Sequence, residues 1–464
     1  MSRRTRLPWQ KPTITPHRAG AMNKFGASRY QFFQPDVDGV EIARLVREFG
    51  SPLFVISERK LRENVRRLRR AFATRYPRVR YAWSYKTNYL NAVCAVLHQE
   101  GAWAEVVSDF EYQKARALGV PGSRILFNGP YKPRAILESA VAEGASIHLD
   151  HLDELYLVED IAERAGKKIG VTMRLNFDTG YADPWSRFGF NIDSGEAMDA
   201  ARHIAAGRSL RLTGLHSHIG TFILDVRAYI SQVRIMADFM KAVESETGCA
   251  IETIDIGGGF ASRNSLHGVY LPPDQVVPSI EQYAEAIASA LMEATRRRSG
   301  RRRRPPTLIL ETGRAIVDDA EVLVASVVGT KRLPDGRRAV VVDAGVNLLF
   351  TSFWYHHEFK PVRPLDGIPE ETVVYGSLCM NLDVVRHSVM LPPLSVGDSL
   401  VIGPAGAYNN TQWLQFIQYR PNVVMIHEDG AVSVVRRAED LEAITALERL
   451  PDHLGNPYPH GLPD

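Results

Sequence analysis

The chain has 464 residues, room for two or three domains at roughly 150 residues each. Its 56 Lys+Arg against 53 Asp+Glu leave a net charge of +3, too balanced for a chain whose main task is holding nucleic acid, while 45% hydrophobic and 23% charged residues exclude a disordered scaffold. Three widely separated cysteines, Cys94, Cys249 and Cys379, with no CxxC pair, form neither a disulfide framework nor a zinc site, so no metal is expected and a cytoplasmic location is.

Residues 1–24 are basic, but no apolar core of the kind a signal peptide needs follows them, so they are read as a solvated tail. No run of 18 apolar residues occurs, which excludes a helical membrane span. Residues 25–51 carry too little pattern to stand alone and are expected to add a strand to a later β domain. From 79 to 314 one pattern repeats: a β-branched or aromatic run, a polar or glycine stop, then a longer stretch with helical spacing. The runs are 79–85 (VRYAWSY), 103–107 (WAEVV), 124–127 (RILF), 146–149 (SIHL), 170–175 (GVTMRL), 211–215 (RLTGL), 252–256 (ETIDI) and 307–310 (TLIL). Helical segments are predicted at 111–118, 133–143, 152–165, 227–246 and 280–296. Eight strand–helix units match the size of a (β/α)8 TIM-type barrel, assigned to 52–318, whereas a doubly wound sheet usually needs only five or six strands. Between the last helix and the eighth strand, seven arginines fall in the nine residues 296–304. They lie on the side away from a barrel's mouth and are read as a solvated loop. Beyond 318 the helical spacing stops and short strand-like runs take over at 321–328, 339–343, 372–375, 399–402, 423–427 and 431–436. Turns at Pro334-Asp335-Gly336 and Glu428-Asp429-Gly430 separate them, so 319–450 is expected to form an all-β barrel or sandwich domain, with 451–464 a tail.

Barrel enzymes carry their chemistry where the chain leaves the carboxyl end of each strand. Here those exits hold Lys86, Ser108, Asn128, Asp150, Arg174 with Asn176, His216 with His218, Gly257-Gly258-Gly259, and Glu311 with Arg314. A triple glycine lets backbone N–H groups approach an anion, although alone it equally describes a flexible turn. Lys86, emerging from an apolar strand, is expected to be desolvated, which lowers an ammonium pKa and makes the amine nucleophilic. A nucleophilic amine and a phosphate cradle in one mouth point to pyridoxal phosphate bound as a Schiff base. Glu311 then suits the pyridine nitrogen, its plainer reading being an ion pair with Arg314. His218 suits the cofactor face, its plainer reading being a hydrogen-bonded core histidine.

This set of residues resembles the fold-type III pyridoxal-phosphate-dependent decarboxylases, the diaminopimelate and ornithine decarboxylase group, related more distantly to alanine racemase. The resemblance spans about 52–425 and rests on ordered motifs: YAWSYKTN (81–88), VVSDFE (106–111), SRFGF (186–190), HSHIGT (216–221), IDIGGGF (254–260), ETGR (311–314), VVDAGVN (341–347), GSLCMNLD (376–383) and GAYN (406–409). It implies Lys86 as the Schiff-base lysine, His218 as the stacking residue and Thr221, Gly257, Gly258, Gly259 and Tyr408 as phosphate contacts. Glu311 would hold the ring nitrogen, and Arg314 would contact an anionic group of the substrate. Cys379 would return a proton to the α-carbon from the neighbouring subunit of a head-to-tail homodimer, with Met380 and Asp383 beside it at the substrate. The acid that follows the cysteine in the diaminopimelate and ornithine enzymes is Met380 here, which directs attention to a modified or carrier-linked amino acid. The segment FWYHHEF (353–359) is either substrate-facing or ordinary β-domain core. An amino-acid racemase on the same fold is the alternative enzyme, which Glu311 disfavours. A non-catalytic homologue acting as a binding protein is the alternative of another class, with no nucleic-acid or membrane partner expected for any of them.

Overall fold

The computed structural model describes residues 22–23, 26–27, 33–269, 271–296 and 304–455. Most of the expected N-terminal tail, the arginines at 297–303 and the end of the C-terminal tail fall outside the described residues. All eight predicted barrel strands form, as Val79–Ser84, Trp103–Val106, Ile125–Phe127, Ser146–Leu149, Ile169–Asn176, Leu210–His216, Thr253–Asp255 and Thr307–Leu310. Each pairs in parallel with the next, and Leu308 of the eighth registers with Val79 of the first, so the sheet closes. Strands enclosed by helices are buried on both faces and read as continuous apolar runs, which is why Ile125–Phe127 and Thr307–Leu310 are buried throughout.

Some of the helices start where a side chain replaces a missing backbone partner. Ser108 accepts the N–H of Glu111 and caps Asp109–Ala117, and Ser279 with Gln282 forms a full capping box on Ile280–Thr295. Ser108, noted above as a polar strand exit, is therefore occupied as a helix cap. Among the described residues no helix is long and apolar enough to cross a membrane.

The second domain is built on a nine-stranded sheet. Its centre is Leu53–Ser57, antiparallel to Glu321–Arg332 and parallel to Val423–Ile426. The sheet thus takes in 53–57, while within 25–51 the strands Asp36–Val37 and Val40–Glu41 pair only with each other and Val40, Ile42 and Leu45 share a core with Leu53, Val55 and Val424. Buried on both faces, LFVIS has no alternation to set it apart from a barrel strand. Two strands not expected from the sequence, Glu358–Pro361 and Val384–Leu391, join the six that were.

The domains meet at the barrel mouth. Tyr408 N–H donates to Thr87 O at 2.8 Å and Thr411 Oγ1 to Lys86 O at 2.8 Å, so the loop after strand Ser399–Gly403 lies across the turn that carries Lys86. Glu321, fully buried, accepts Asn88 Nδ2 at 3.0 Å and Asn410 Nδ2 at 2.6 Å, and burial pushes its carboxyl up to about 8.

Candidate active site

A cavity of about 560 Å³ opens at the carboxyl ends of the barrel strands. Lys86, Asn128, Arg174, His216, His218, Gly258, Gly259, Glu311 and Arg314, all read from strand exits or the motifs beside them, line it together with Thr221 and Tyr408. Asp150 and Asn176 support it from behind. Asp150 lies 3.5 Å from Arg174, and Asn176 donates to the carbonyls of Trp185 and Phe188 at 2.7 and 3.0 Å, holding the loop whose aromatic rings form one wall.

Lys86 Nζ donates to both oxygens of Glu105, at 2.9 and 2.7 Å. Burial works to lower this ammonium, but Glu105 and Glu311 outweigh it and hold Lys86 above the ordinary lysine range. The expectation of a lowered lysine is therefore reversed: the carboxylates dominate because they share its cavity. Glu105 itself escaped the sequence reading. Its signal was there, since a carboxylate fully buried in the middle of WAEVV has no place in a barrel strand without a polar partner.

Glu311 accepts Asn128 Nδ2 at 2.7 Å, and its Oε2 lies 3.4 Å from His216 Nε2. Burial depresses His216 well below the usual histidine range, so this ring faces the carboxylate as a neutral group. The plainer reading of Glu311, a pair with Arg314, does not hold among the described residues. The Arg314 guanidinium instead lies 4.8 Å from the ring centre of Tyr408, 5.0 Å from Tyr355 and 5.6 Å from Phe222, and 3.5 Å from Thr221 Oγ1. Its buried Nη1 has no hydrogen-bond partner among the described residues. Tyr408 adopts a left-handed backbone with φ of 68°, a strained conformation of the kind held at functional sites.

The glycines admit no side chains. A Cβ on Gly258 would lie 2.8 Å from Glu311 O, and one on Gly259, where φ is +92°, 2.4 Å from Gly220 O. Gly258 N–H donates to His218 Nδ1 at 3.1 Å, fixing that ring against the loop, with Trp185 edge-on at 5.3 Å. Burial, with Arg174 and Lys86 nearby, keeps His218 neutral. An anion cradle beside Thr221, Arg314 and Tyr408, a flat neutral ring, a buried carboxylate and an amine fit the parts of pyridoxal phosphate one by one.

Cys379 is exposed and does not line the cavity of its own chain, and neither does Met380. Asp383, placed above at the substrate, is buried and accepts Val346 N–H at 2.8 Å and Leu378 N–H at 2.7 Å, so both oxygens shape the loop that carries Cys379. The 353–359 segment divides. Trp354 and Tyr355 line the cavity, His357 is buried between Thr351 and Pro404 O, and Glu358 pairs with Lys360 at 2.8 Å.

Residues 60–318 match the family described as pyridoxal-dependent decarboxylase, pyridoxal binding domain. The chain is 32% identical over 426 residues to diaminopimelate decarboxylase of Methanothermobacter thermautotrophicus, covering 90% of this chain and 96% of that one. It is 27% identical to the Bacillus subtilis diaminopimelate decarboxylase, covering 89% and 94%. The crystal structure of M. jannaschii diaminopimelate decarboxylase in complex with L-lysine superposes with a TM-score of 0.82 at 27% identity, covering 90% of this chain and 96% of that one.

Proposed function

From the premise that this chain belongs to the pyridoxal-dependent decarboxylase family and is an amino-acid carboxy-lyase with pyridoxal phosphate as cofactor, we propose that its substrate is an α-amino acid without a free distal ammonium. The observation that carries the decarboxylase reading is the convergence of Lys86, Glu311, His218 and the glycine cradle on one cavity. When bound, pyridoxal phosphate supplies a carbonyl that condenses with an amine and a ring that accepts the electron pair of the breaking bond. Lys86 is the residue proposed to hold it covalently, and Glu105 sits where it can exchange a proton with Nζ. Glu311 would keep the ring nitrogen protonated, and so favour loss of carbon dioxide over racemisation. Thr221, Gly259, Tyr408 and Arg314 would bind the phosphate, while Gly257 and Gly258, whose N–H groups are taken by Asp255 and His218, would let the loop approach it closely; Arg314 goes to the cofactor and not to the substrate, because Thr221 and Tyr408 surround it. His218 would cover one ring face and exclude water from it.

Cys379, exposed on its own chain, is proposed to reach the cavity of a second copy and return a proton to the α-carbon, giving a homodimer with shared sites. Met380 would then meet the distal end of the substrate, together with Trp185, Phe188 and Trp354 of the cavity wall. The relatives named diaminopimelate decarboxylase suggest the diamino acid itself. Against that, Met380 offers no charge to a distal ammonium, so a capped or carrier-linked amino acid fits better.

The test is carbon dioxide release from free diaminopimelate, lysine and ornithine, and from distally acylated and carrier-linked forms, in both enantiomers. Capped substrates are expected to turn over at higher kcat/KM. Met380→Glu should shift the preference toward free diamino acids by roughly tenfold, about the worth of one hydrogen-bonded charge pair. Equal or better turnover of free diaminopimelate by the native enzyme would remove the substrate reading, and loss of optical rotation without carbon dioxide would replace the decarboxylase by a racemase.

A further inference from the structure

Beside the carboxylate of Glu311 lies a second carboxyl group that the reaction above does not use. Asp255 ends the seventh barrel strand, paired with His216 of the sixth and Ile309 of the eighth, and is fully buried. Its Oδ1 accepts the N–H of Gly257 at 2.9 Å, tying it to the first glycine of the cradle. Its Oδ2 has no N–H or O–H donor among the described residues, and its register partner Ile309 places Glu311 two residues further along the neighbouring strand, where each carboxyl acts on the other. Two carboxyl groups in contact and away from water do not both ionise; the pair retains a proton.

The surroundings decide which member carries it. Glu311 receives the Asn128 amide, and both Lys86 and Arg174 lie in its field. Asp255 receives one backbone N–H, and burial, then Glu311 and Glu105, push its carboxyl well above the ordinary range. The cations within its field are Arg80 from the first strand and Arg174 from the fifth, and neither forms an ion pair with it among the described residues.

We propose that Asp255 is a neutral acid whose Oδ2–H donates to Glu311, a positioning residue that holds the Glu311 carboxylate aimed into the cavity. An O–H donated to a carboxylate belongs to the strongest class of hydrogen bond. It fixes the Glu311 side chain, and because the pair's proton resides on Asp255, Glu311 stays free to accept a hydrogen bond from a protonated ligand group. That the ligand group is the cofactor's ring nitrogen rests on the function proposed above; the protonation of Asp255 does not.

Asp255→Asn keeps an N–H donor and the acceptor for Gly257 N–H and removes the titration, whereas Asp255→Leu keeps comparable bulk and removes both the donor and that acceptor. Infrared spectra of the full chain at pH 8 should show the carbonyl stretch of a buried protonated carboxyl that Asp255→Asn lacks. Thermal midpoints of the cofactor-free chain give a second reading. A carboxyl with a raised folded pKa holds more protons folded than unfolded once the pH exceeds the ordinary Asp range, so its contribution to stability falls as the pH rises. The midpoint of Asp255→Asn minus that of the native chain should therefore climb from pH 5 to 9. Pyridoxal phosphate should bind Asp255→Asn within about threefold of native and Asp255→Leu roughly 10- to 100-fold more weakly, the worth of one hydrogen bond to a charged group. A missing infrared band with a flat midpoint difference overturns the proposal, as does equal weakening in both variants. If Asp255→Leu does not fold, the two measurements on Asp255→Asn decide. A native chain that binds no pyridoxal phosphate, but shows the band and the climb, refutes the role of Glu311 at the cofactor and leaves the shared proton standing.

Discussion

Lys86 shows how one position combines two demands. The amine has to be reachable, and it lines the cavity; it also has to lose a proton, yet Glu105 and Glu311 favour its charged form. An ammonium held by carboxylates stays in place at the barrel mouth, and Glu105 accepts from it at 2.7 Å, within reach of its proton. Lys86→Ala is expected to abolish the visible absorption of the lysine-linked cofactor and to lower carbon dioxide release by at least about 10², the lower end of what removing a proton-transfer group costs. A variant that keeps the band would refute the assignment. The lysine was legible because a cation ends an apolar run. Its pKa was not, because Glu105 comes from the next strand, and only the parallel pairing that sets Ser84 opposite Glu105 brings the two within 2.7 Å.

At the scale of elements, the glycine loop after the seventh strand is fixed by its neighbours rather than by its own flexibility. Gly259 holds a φ of +92° and faces Gly220 O, so the loops after the sixth and seventh strands touch backbone to backbone. Ala at 259 meets both a steric clash and an unfavourable backbone region, which together cost on the order of 1–3 kcal/mol. Gly259→Ala should therefore weaken pyridoxal phosphate binding by about tenfold or more, measured by titration of the cofactor-free chain, with the fold retained. Unchanged affinity would show that this loop is merely a turn. The eight barrel strands were readable because each is a short apolar run followed by a helical stretch, and the helix caps were written in Ser108 and Ser279. The strand Leu53–Ser57 carries no such signal, because burial on both faces erases the alternation that would mark it as part of the β domain.

At the scale of the whole molecule, the β domain does two things that the barrel alone does not. It lays Tyr408 and Thr411 over the Lys86 turn, and it presents Cys379 away from its own cavity. Large apolar side chains remain exposed nearby in the same domain, among them Phe353, Trp354, Leu382 and Ile417. They suit coverage by a second copy. If sites are shared, a co-folded equal mixture of Lys86→Ala and Cys379→Ala chains should recover about one quarter of native activity, since half the dimers then hold one intact site of two in a symmetric pairing. No recovery above the separate variants would place the cysteine outside the reaction or within its own chain.

By itself the sequence determined the chain of strands and helices, the division into barrel and β domain, and the residues at the strand exits, since these depend on local periodicity and on chemistry visible in a short window. The tertiary structure alone decided what those residues meet. Glu105 against Lys86, Asp255 against Glu311 and Arg314 among three aromatic rings are contacts between segments far apart in the chain. Charge and burial at such contacts depend on distances of a few ångströms, which strand pairing and the docking of the β domain set and no sequence spacing encodes.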